Sequence, residues 1–201
     1  MDDKQTVFIV DDDEGVREGL SLLLATVGQH CELYESASRF LDSYDENKHG
    51  CLVLDIRMPR MTGLDLQKKL IDMSSQLPII FITGHGDIPM AVEAMRRGAV
   101  DFIRKPFREH DLLERINEAL SLDDTNYRKV VNRQAIQEKL TSLTEREREV
   151  FGRVADGEMN KVIGADLGIS ERTVEVHRGQ VMKKLGVRTL AQLVRVKIES
   201  E

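Results

Sequence analysis

Five short apolar runs, separated by helix-period patterns, leave the first 120 residues little choice of fold. The clearest are Thr6–Val10, Cys51–Leu54 and Ile79–Thr83, and weaker ones occupy Cys31–Tyr34 and Val100–Arg104. The clear runs are rich in β-branched residues and do not alternate apolar with polar positions. Each therefore suits a strand covered on both faces, which is the signature of a parallel sheet. Between them, Glu14–Val27, Ser36–Tyr44, Gly63–Met73, Ile88–Arg97 and Glu109–Leu122 carry apolar residues at helical spacing, as Leu20, Leu23 and Leu24 do. Five strands alternating with five helices predict a doubly wound α/β domain over residues 1–122, its parallel sheet in the flavodoxin-like order 2-1-3-4-5.

That order bears on the two cysteines. Strand 1 lies between Cys31, at the head of strand 2, and Cys51, which opens strand 3. Their backbones should stand about two strand spacings, ~9–10 Å, apart. A disulfide reaches only ~7 Å, so both are expected to be free thiols. Two cysteines supply neither a disulfide framework nor a zinc cluster.

A second, all-helical domain is expected over residues 143–201. Thr144 with Glu147 three residues on reads as a capping box before a helix containing Val150 and Val154, which Gly157 ends. Asn160–Leu167 follows as a short helix, Gly168-Ile169 as a tight turn, and Ser170 caps a longer helix ending at Gly186. Leu190–Ile198 is the fourth. Two helices joined by a glycine-containing turn of this length form a helix-turn-helix. Residues 123–142 between the domains are polar, free of Pro and Gly, and expected to be a mostly helical linker.

Composition excludes several classes. With 41% apolar and 32% charged residues among 201, a packed core is within reach and disorder is not the dominant state. No apolar run approaches the ~20 residues a membrane helix needs. Met1-Asp2-Asp3-Lys4 is acidic and leads into no signal-like stretch, so a cytoplasmic location is expected. Aromatics are 4% with no Trp, which argues against base-stacking single-strand binders. The net charge of −6 hides an asymmetry. Residues 1–120 hold 14 Lys/Arg against 22 Asp/Glu, whereas Ser170–Lys197 hold seven basic residues against two acidic ones. An acidic body followed by a basic patch is the electrostatic footprint of a fused DNA-binding module.

In the predicted sheet the carboxyl ends of the strands converge on one crevice. Asp11, Asp12 and Asp13 follow strand 1, Asp55 follows strand 3, Thr83 ends strand 4 and Lys105 ends strand 5. Carboxylates gathered there repel one another unless a hard cation joins them, and all-oxygen ligation suits Mg²⁺. An ionised Asp beside Mg²⁺ can attack a phosphoryl group. A hydroxyl and an ammonium would meet the transferred oxygens, and Thr83 and Lys105 are such groups. Singly each signal has a plainer reading: Asp13 as a helix N-cap, Phe102 as core.

With Leu-Asp55-Ile-Arg-Met-Pro59, Thr83-Gly-His-Gly-Asp-Ile-Pro89, Lys105-Pro106-Phe107 and Arg172-Thr-Val-Glu-Val-His-Arg178 in place, the chain resembles the FixJ/NarL family of response regulators. Its first 120 residues look like a CheY-like receiver domain of two-component signalling, and the remainder like a LuxR-type helix-turn-helix. The resemblance implies Asp55 as phosphoacceptor, Asp11 and Asp12 as an acidic Mg²⁺-binding pair, and the Arg57 backbone carbonyl as a further ligand. It also implies Thr83 as switch hydroxyl, Lys105 as phosphate-binding cation, Phe102 as switch aromatic, and a cis Lys105–Pro106 peptide. The implied partners are a sensor histidine kinase, double-stranded operator DNA, RNA polymerase and a second copy of the phosphorylated chain, with no membrane.

On the Ser170-capped helix, Val174, Val181 and Leu185 share one face and are assigned to the core. The opposite face carries Arg172, Glu175, Val176, Gly179 and Lys183, flanked by Arg178 and Met182, and should enter the major groove. Arg172 or Lys183 can bond phosphate or guanine, Glu175 can accept from cytosine, and Val176 can touch a thymine methyl. Thr173 is a candidate for a phosphate contact, and Arg188 for a contact with either the DNA backbone or the partner subunit. Glu175 stands where many LuxR-type domains carry Lys, and Gly179 where a larger side chain is common.

Two other readings are weaker. A phosphohydrolase using Asp55 would want a second acid two residues on, where Arg57 stands. A flavin-binding domain would place phosphate at the loop after strand 1, where three aspartates repel it.

Overall fold

The computed structural model of the chain describes residues 5–84 and 88–200. Met1-Asp2-Asp3-Lys4, and His85-Gly86-Asp87 of the Thr83–Pro89 phrase, lie outside the described residues. The chain divides into two compact units, Met1–Tyr127 and Arg128–Glu201.

The first unit alternates β1 (Thr6–Val10), α1 (Glu14–Thr26), β2 (His30–Tyr34), α2 (Ala37–Asp42), β3 (Gly50–Asp55), α3 (Gly63–Asp72), β4 (Ile79–Thr83), α4 (Ile88–Arg96), β5 (Asp101–Arg104) and the start of α5 (Glu109–Thr141). All strand pairs are parallel, in the order β2-β1-β3-β4-β5. Strand period two sorts the apolar residues into two cores. Phe8, Val10, Leu52, Leu54 and Phe81 pack with Phe40 of α2, Leu66 and Leu70 of α3 and Ala94 of α4. Val7, Ile9, Cys51, Val53, Ile80 and Ile82 pack with Leu20 and Leu24 of α1 and Leu112 and Ile116 of α5. Nearly every residue of β1, β3 and β4 is buried, which is why these runs contain no polar alternation.

Several boundaries differ from the sequence reading. Cys31 lies one residue inside β2, paired with Val7, and Val7 pairs with Cys51 on its other side. Both thiols are free. Asp55 ends β3 rather than following it, because it still pairs with Ile82 of β4. β5 begins at Asp101, although the Val100 N–H already donates to the Ile79 carbonyl. α2 is only six residues, from the Ser36 cap to a Ser43 whose N–H turns back to Phe40 and Leu41. α5 does not stop at Leu122. With no Pro or Gly to break it, it runs on to Thr141, so the expected helical linker is largely a continuation of this helix.

In the second unit, α6 (Glu145–Ala155), α7 (Asn160–Leu167), α8 (Glu171–Leu185) and α9 (Leu190–Ser200) enclose Val150, Phe151, Val154, Ile163, Val174, Val181, Leu185 and Leu193. The Thr144–Glu147 capping box forms in both directions. Ser170 caps α8 by accepting from the Thr173 N–H, and Gly168 and Gly186 close α7 and α8 in the left-handed conformation. Among the described residues no helix is long and apolar enough to cross a membrane.

Candidate functional site

The carboxyl ends of β1, β3, β4 and β5 bring Asp11, Asp55, Thr83 and Lys105 to one end of the sheet. Asp11 follows β1 directly and is 1% exposed. Its Oδ1 accepts from the Asp13 N–H at 2.9 Å, and its Oδ2 lies 2.6 Å from Lys105 Nζ. Lys105 Nζ also donates to Asp55 Oδ1 at 3.0 Å, and the other Asp55 oxygen accepts from the Arg57 N–H at 2.7 Å. One ammonium thus bridges two carboxylates. The Lys105 peptide is fixed in turn: its N–H donates to the Thr83 carbonyl at 2.7 Å, and Lys105–Pro106 is cis.

The charges explain the arrangement. Burial pushes the Asp11 carboxyl above its ordinary value, against the hydrogen bond and charge of Lys105. Lys105 is itself lowered by burial, but its bonds to Asp11 and Asp55 outweigh this and hold it above the usual lysine value. A buried carboxylate without a counter-charge is costly, and here the ammonium supplies one.

The loop after β3 is held close. The Gly63 N–H donates to the Ile56 carbonyl, and a Cβ at Gly63 would stand 2.3 Å from the Asp55 carbonyl oxygen. α3 therefore starts against the Asp55 peptide only because residue 63 has no side chain. Thr83 is buried at 2% exposure, and Phe102 is half-buried beside the core that includes its register partner Phe81. Asp12 is exposed. Asp13 takes the plainer role, capping α1 by accepting from the Gly15 and Val16 N–H groups.

Among the described residues no three His, Cys, Asp or Glu side chains stand close enough to hold a metal by themselves. The donors that do converge are the carboxylate oxygens of Asp11 and Asp55, drawn together on the Lys105 ammonium. That oxygen-only chemistry fits a hard divalent cation, which would share Asp11 and Asp55 with the Lys105 ammonium.

In the second unit, Arg172, Glu175, Val176, Gly179 and Lys183 are exposed on α8, Val176 at 58%. Val174, Val181 and Leu185 form the buried face. Arg188 is exposed just beyond α8, with its N–H donating to Gln192. Two candidates are engaged: the Thr173 hydroxyl lies 2.8 Å from the Ser170 hydroxyl, and Arg178 is half-buried with Nη1 3.5 Å from Asn160 Oδ1 of α7. A further tie joins α8 to the start of α6, where Lys184 Nζ donates to Glu147 Oε2 at 2.6 Å and to the Ser142 carbonyl at 3.1 Å.

The sequence reading did not find Asn160, the Lys184–Glu147 pair or the Gly63 close approach. A lone polar residue at a helix start, an i-to-distant ion pair and a helix-opening glycine carry no local periodicity.

Comparison with known proteins accounts for both units. Residues 7–117 match the family described as response regulator receiver domain, and residues 141–197 match bacterial regulatory proteins of the luxR family. Response regulator protein TmoT of Ectopseudomonas mendocina is 46% identical over 195 residues, covering 97% of this chain and 89% of that protein. Transcriptional regulatory protein FixJ of Rhizobium meliloti is 45% identical over 199 residues, covering 95% and 94%. The solved structure of response regulator StyR matches with a TM-score of 0.88 at 47% identity, covering 98% of this chain and 99% of that one.

Proposed function

This chain belongs to the response regulators that join a receiver domain to a LuxR-type DNA-binding domain, and we propose that its transcriptional activity is governed by phosphorylation of Asp55. The observation that carries the assignment is the Lys105 ammonium bridging Asp11 and Asp55 at the sheet's carboxyl end. Asp55 Oδ attacks the phosphorus of a kinase phosphohistidine, an O–P bond forms, the N–P bond breaks with its electron pair going to the imidazole nitrogen, and that nitrogen takes up a proton from solvent water. Asp11, Asp12, Asp55 and the Arg57 carbonyl are the groups that would hold Mg²⁺. When bound it supplies positive charge against the phosphoryl oxygens. The Lys105 ammonium meets one transferred oxygen and the Thr83 hydroxyl another. Beyond this self-directed chemistry, including loss of the phosphoryl group from Asp55, the chain is not an enzyme.

The new phosphoryl group adds roughly two negative charges and strong acceptors at the pocket. Thr83 moves toward it, and Phe102 turns into the space vacated. The surface of α4, β5 and α5, where Ile88, Val92 and Met95 of α4 are exposed, then favours pairing with a second phosphorylated copy. A single reading helix covers a small DNA area, ~600–1,000 Å² for modules of this size, so paired copies are needed for a specific operator. Arg172, Glu175, Val176, Gly179 and Lys183 face the groove, with Thr173, Arg178 and Arg188 at its flanks. A sensor histidine kinase, operator DNA and RNA polymerase are the cytoplasmic partners of this scheme.

The test is incubation with Mg²⁺ and acetyl phosphate or a beryllium fluoride mimic, followed by intact mass and sizing. One added phosphoryl group and a dimer are expected, and Asp55→Asn should give neither. Phosphorylation-dependent DNA binding that survives in Asp55→Asn overturns the assignment.

A further inference from the structure

At the other end of the sheet, away from the Asp55 pocket, four side chains from three chain segments meet on α5. His49 precedes β3, and its carbonyl accepts from the Thr6 N–H at 3.0 Å. Gly50 allows this: its φ is 143°, and a Cβ there would stand 1.8 Å from the Thr6 carbonyl oxygen. So held, the His49 side chain is 10% exposed with Nδ1 2.5 Å from Asp123 Oδ2, itself on an 8% exposed side chain of α5. Gln5 Nε2 donates to the same Asp123 oxygen at 3.1 Å and to the Leu120 carbonyl at 2.6 Å. One turn further along α5, the Tyr127 ring stacks on the imidazole, centroids 4.2 Å apart and planes 29° from parallel.

This cluster is not needed to complete the sheet or its two cores. Leu112, Ile116, Ala119 and Leu120 already fasten α5 to the sheet by apolar burial. Beyond Leu120 the contacts pass to polar groups: Asp123 is buried and Tyr127 half-buried, close to where the first unit ends at Tyr127. Placing an acid there is costly, and burial pushes the Asp123 carboxyl above its usual value. A polar attachment of this kind holds by geometry, and its breaking leaves side chains that water can satisfy.

We propose that Gln5, His49, Asp123 and Tyr127 form a latch that fixes residues 121–127 of α5 to the amino-terminal end of the receiver sheet and can open without unfolding it. When the latch is closed, the last two turns of α5 before the second unit belong to the receiver. When it opens, those turns are released as a hinge, while the Asp55 pocket and the sheet remain intact. This holds whether or not Asp55 is the phosphoacceptor.

Hydrogen–deuterium exchange on the full chain tests it. Asp123→Ala and Tyr127→Ala should each speed amide exchange in residues 121–127 tenfold or more and leave β1, β3 and β4 at wild-type rates. Unchanged exchange in 121–127, or equal acceleration throughout β1 and β3, would overturn the proposal: the first means nothing is held, the second that the cluster braces the whole domain.

Discussion

Lys105 Nζ lies 2.6 Å from Asp11 Oδ2, joining the ends of the first and last strands of the receiver sheet. A second contact, 3.0 Å to Asp55 Oδ1, makes the same ammonium the counter-charge of the proposed phosphoacceptor. Lys105→Ala should leave two neighbouring carboxylates unneutralised. A fully buried pair broken from one side costs roughly 3–5 kcal/mol, and the partial exposure of Lys105 brings the expected loss to about 2 kcal/mol. Urea unfolding of the receiver measures it, and uptake of phosphoryl from acetyl phosphate should fall in parallel.

Asp11→Asn should act with a defined pH dependence. Burial raises the Asp11 pKa in the folded state, so folding favours its protonated form. That contribution is complete below the unfolded-chain value of about 3.9 and is lost as pH rises through the raised folded value. Asparagine cannot ionise and escapes the loss. The stability of Asp11→Asn minus wild type should therefore grow as pH increases from that value toward neutrality, while Mg²⁺-dependent phosphorylation weakens. A difference that stays level across this range contradicts the account.

Gly63→Ala should disturb the pocket without touching a charged group. The new methyl would meet the Asp55 carbonyl oxygen at 2.3 Å and Leu54 Cγ at 3.1 Å, so the β3–α3 loop must shift. Overpacking of this sort costs about 1–3 kcal/mol. Thermal unfolding should show a lower midpoint, and acetyl phosphate should label Asp55 more slowly than in wild type.

On DNA, Arg172→Ala and Glu175→Ala should separate affinity from specificity. If Arg172 neutralises a phosphate, its loss reduces the slope of log binding constant against log salt by about one. Glu175→Ala should leave that slope alone and relax preference at one base position. Fluorescence anisotropy across a salt series, on cognate and substituted duplexes, distinguishes the two.

The strands were legible because β1, β3 and β4 are sealed on both faces, so nothing polar interrupts Thr6–Val10, Cys51–Leu54 or Ile79–Thr83. Capping at Thr144, Ser170 and Asp13 was legible because the hydroxyl or carboxyl sits beside the N–H groups it serves. The continuation of α5 to Thr141 follows from a stretch without breakers, but where it detaches from the receiver does not, since His49, Gln5 and Asp123 meet only through the tertiary fold. The pocket lay between these cases. The residue types at the strand ends pointed to Asp11, Asp55 and Lys105, whereas the Arg57 N–H on Asp55 and the bridging position of the ammonium depend on loop geometry that local pattern does not encode.

The placement of Val7 between Cys31 and Cys51 has a practical consequence. Cys51 is sealed in the core, where burial drives its thiol far up, while Cys31 is half-buried with its thiol toward the Ser21 hydroxyl. A maleimide should therefore modify the native protein at one position and the denatured protein at two, so that the stoichiometry of alkylation counts opened molecules with no engineered reporter.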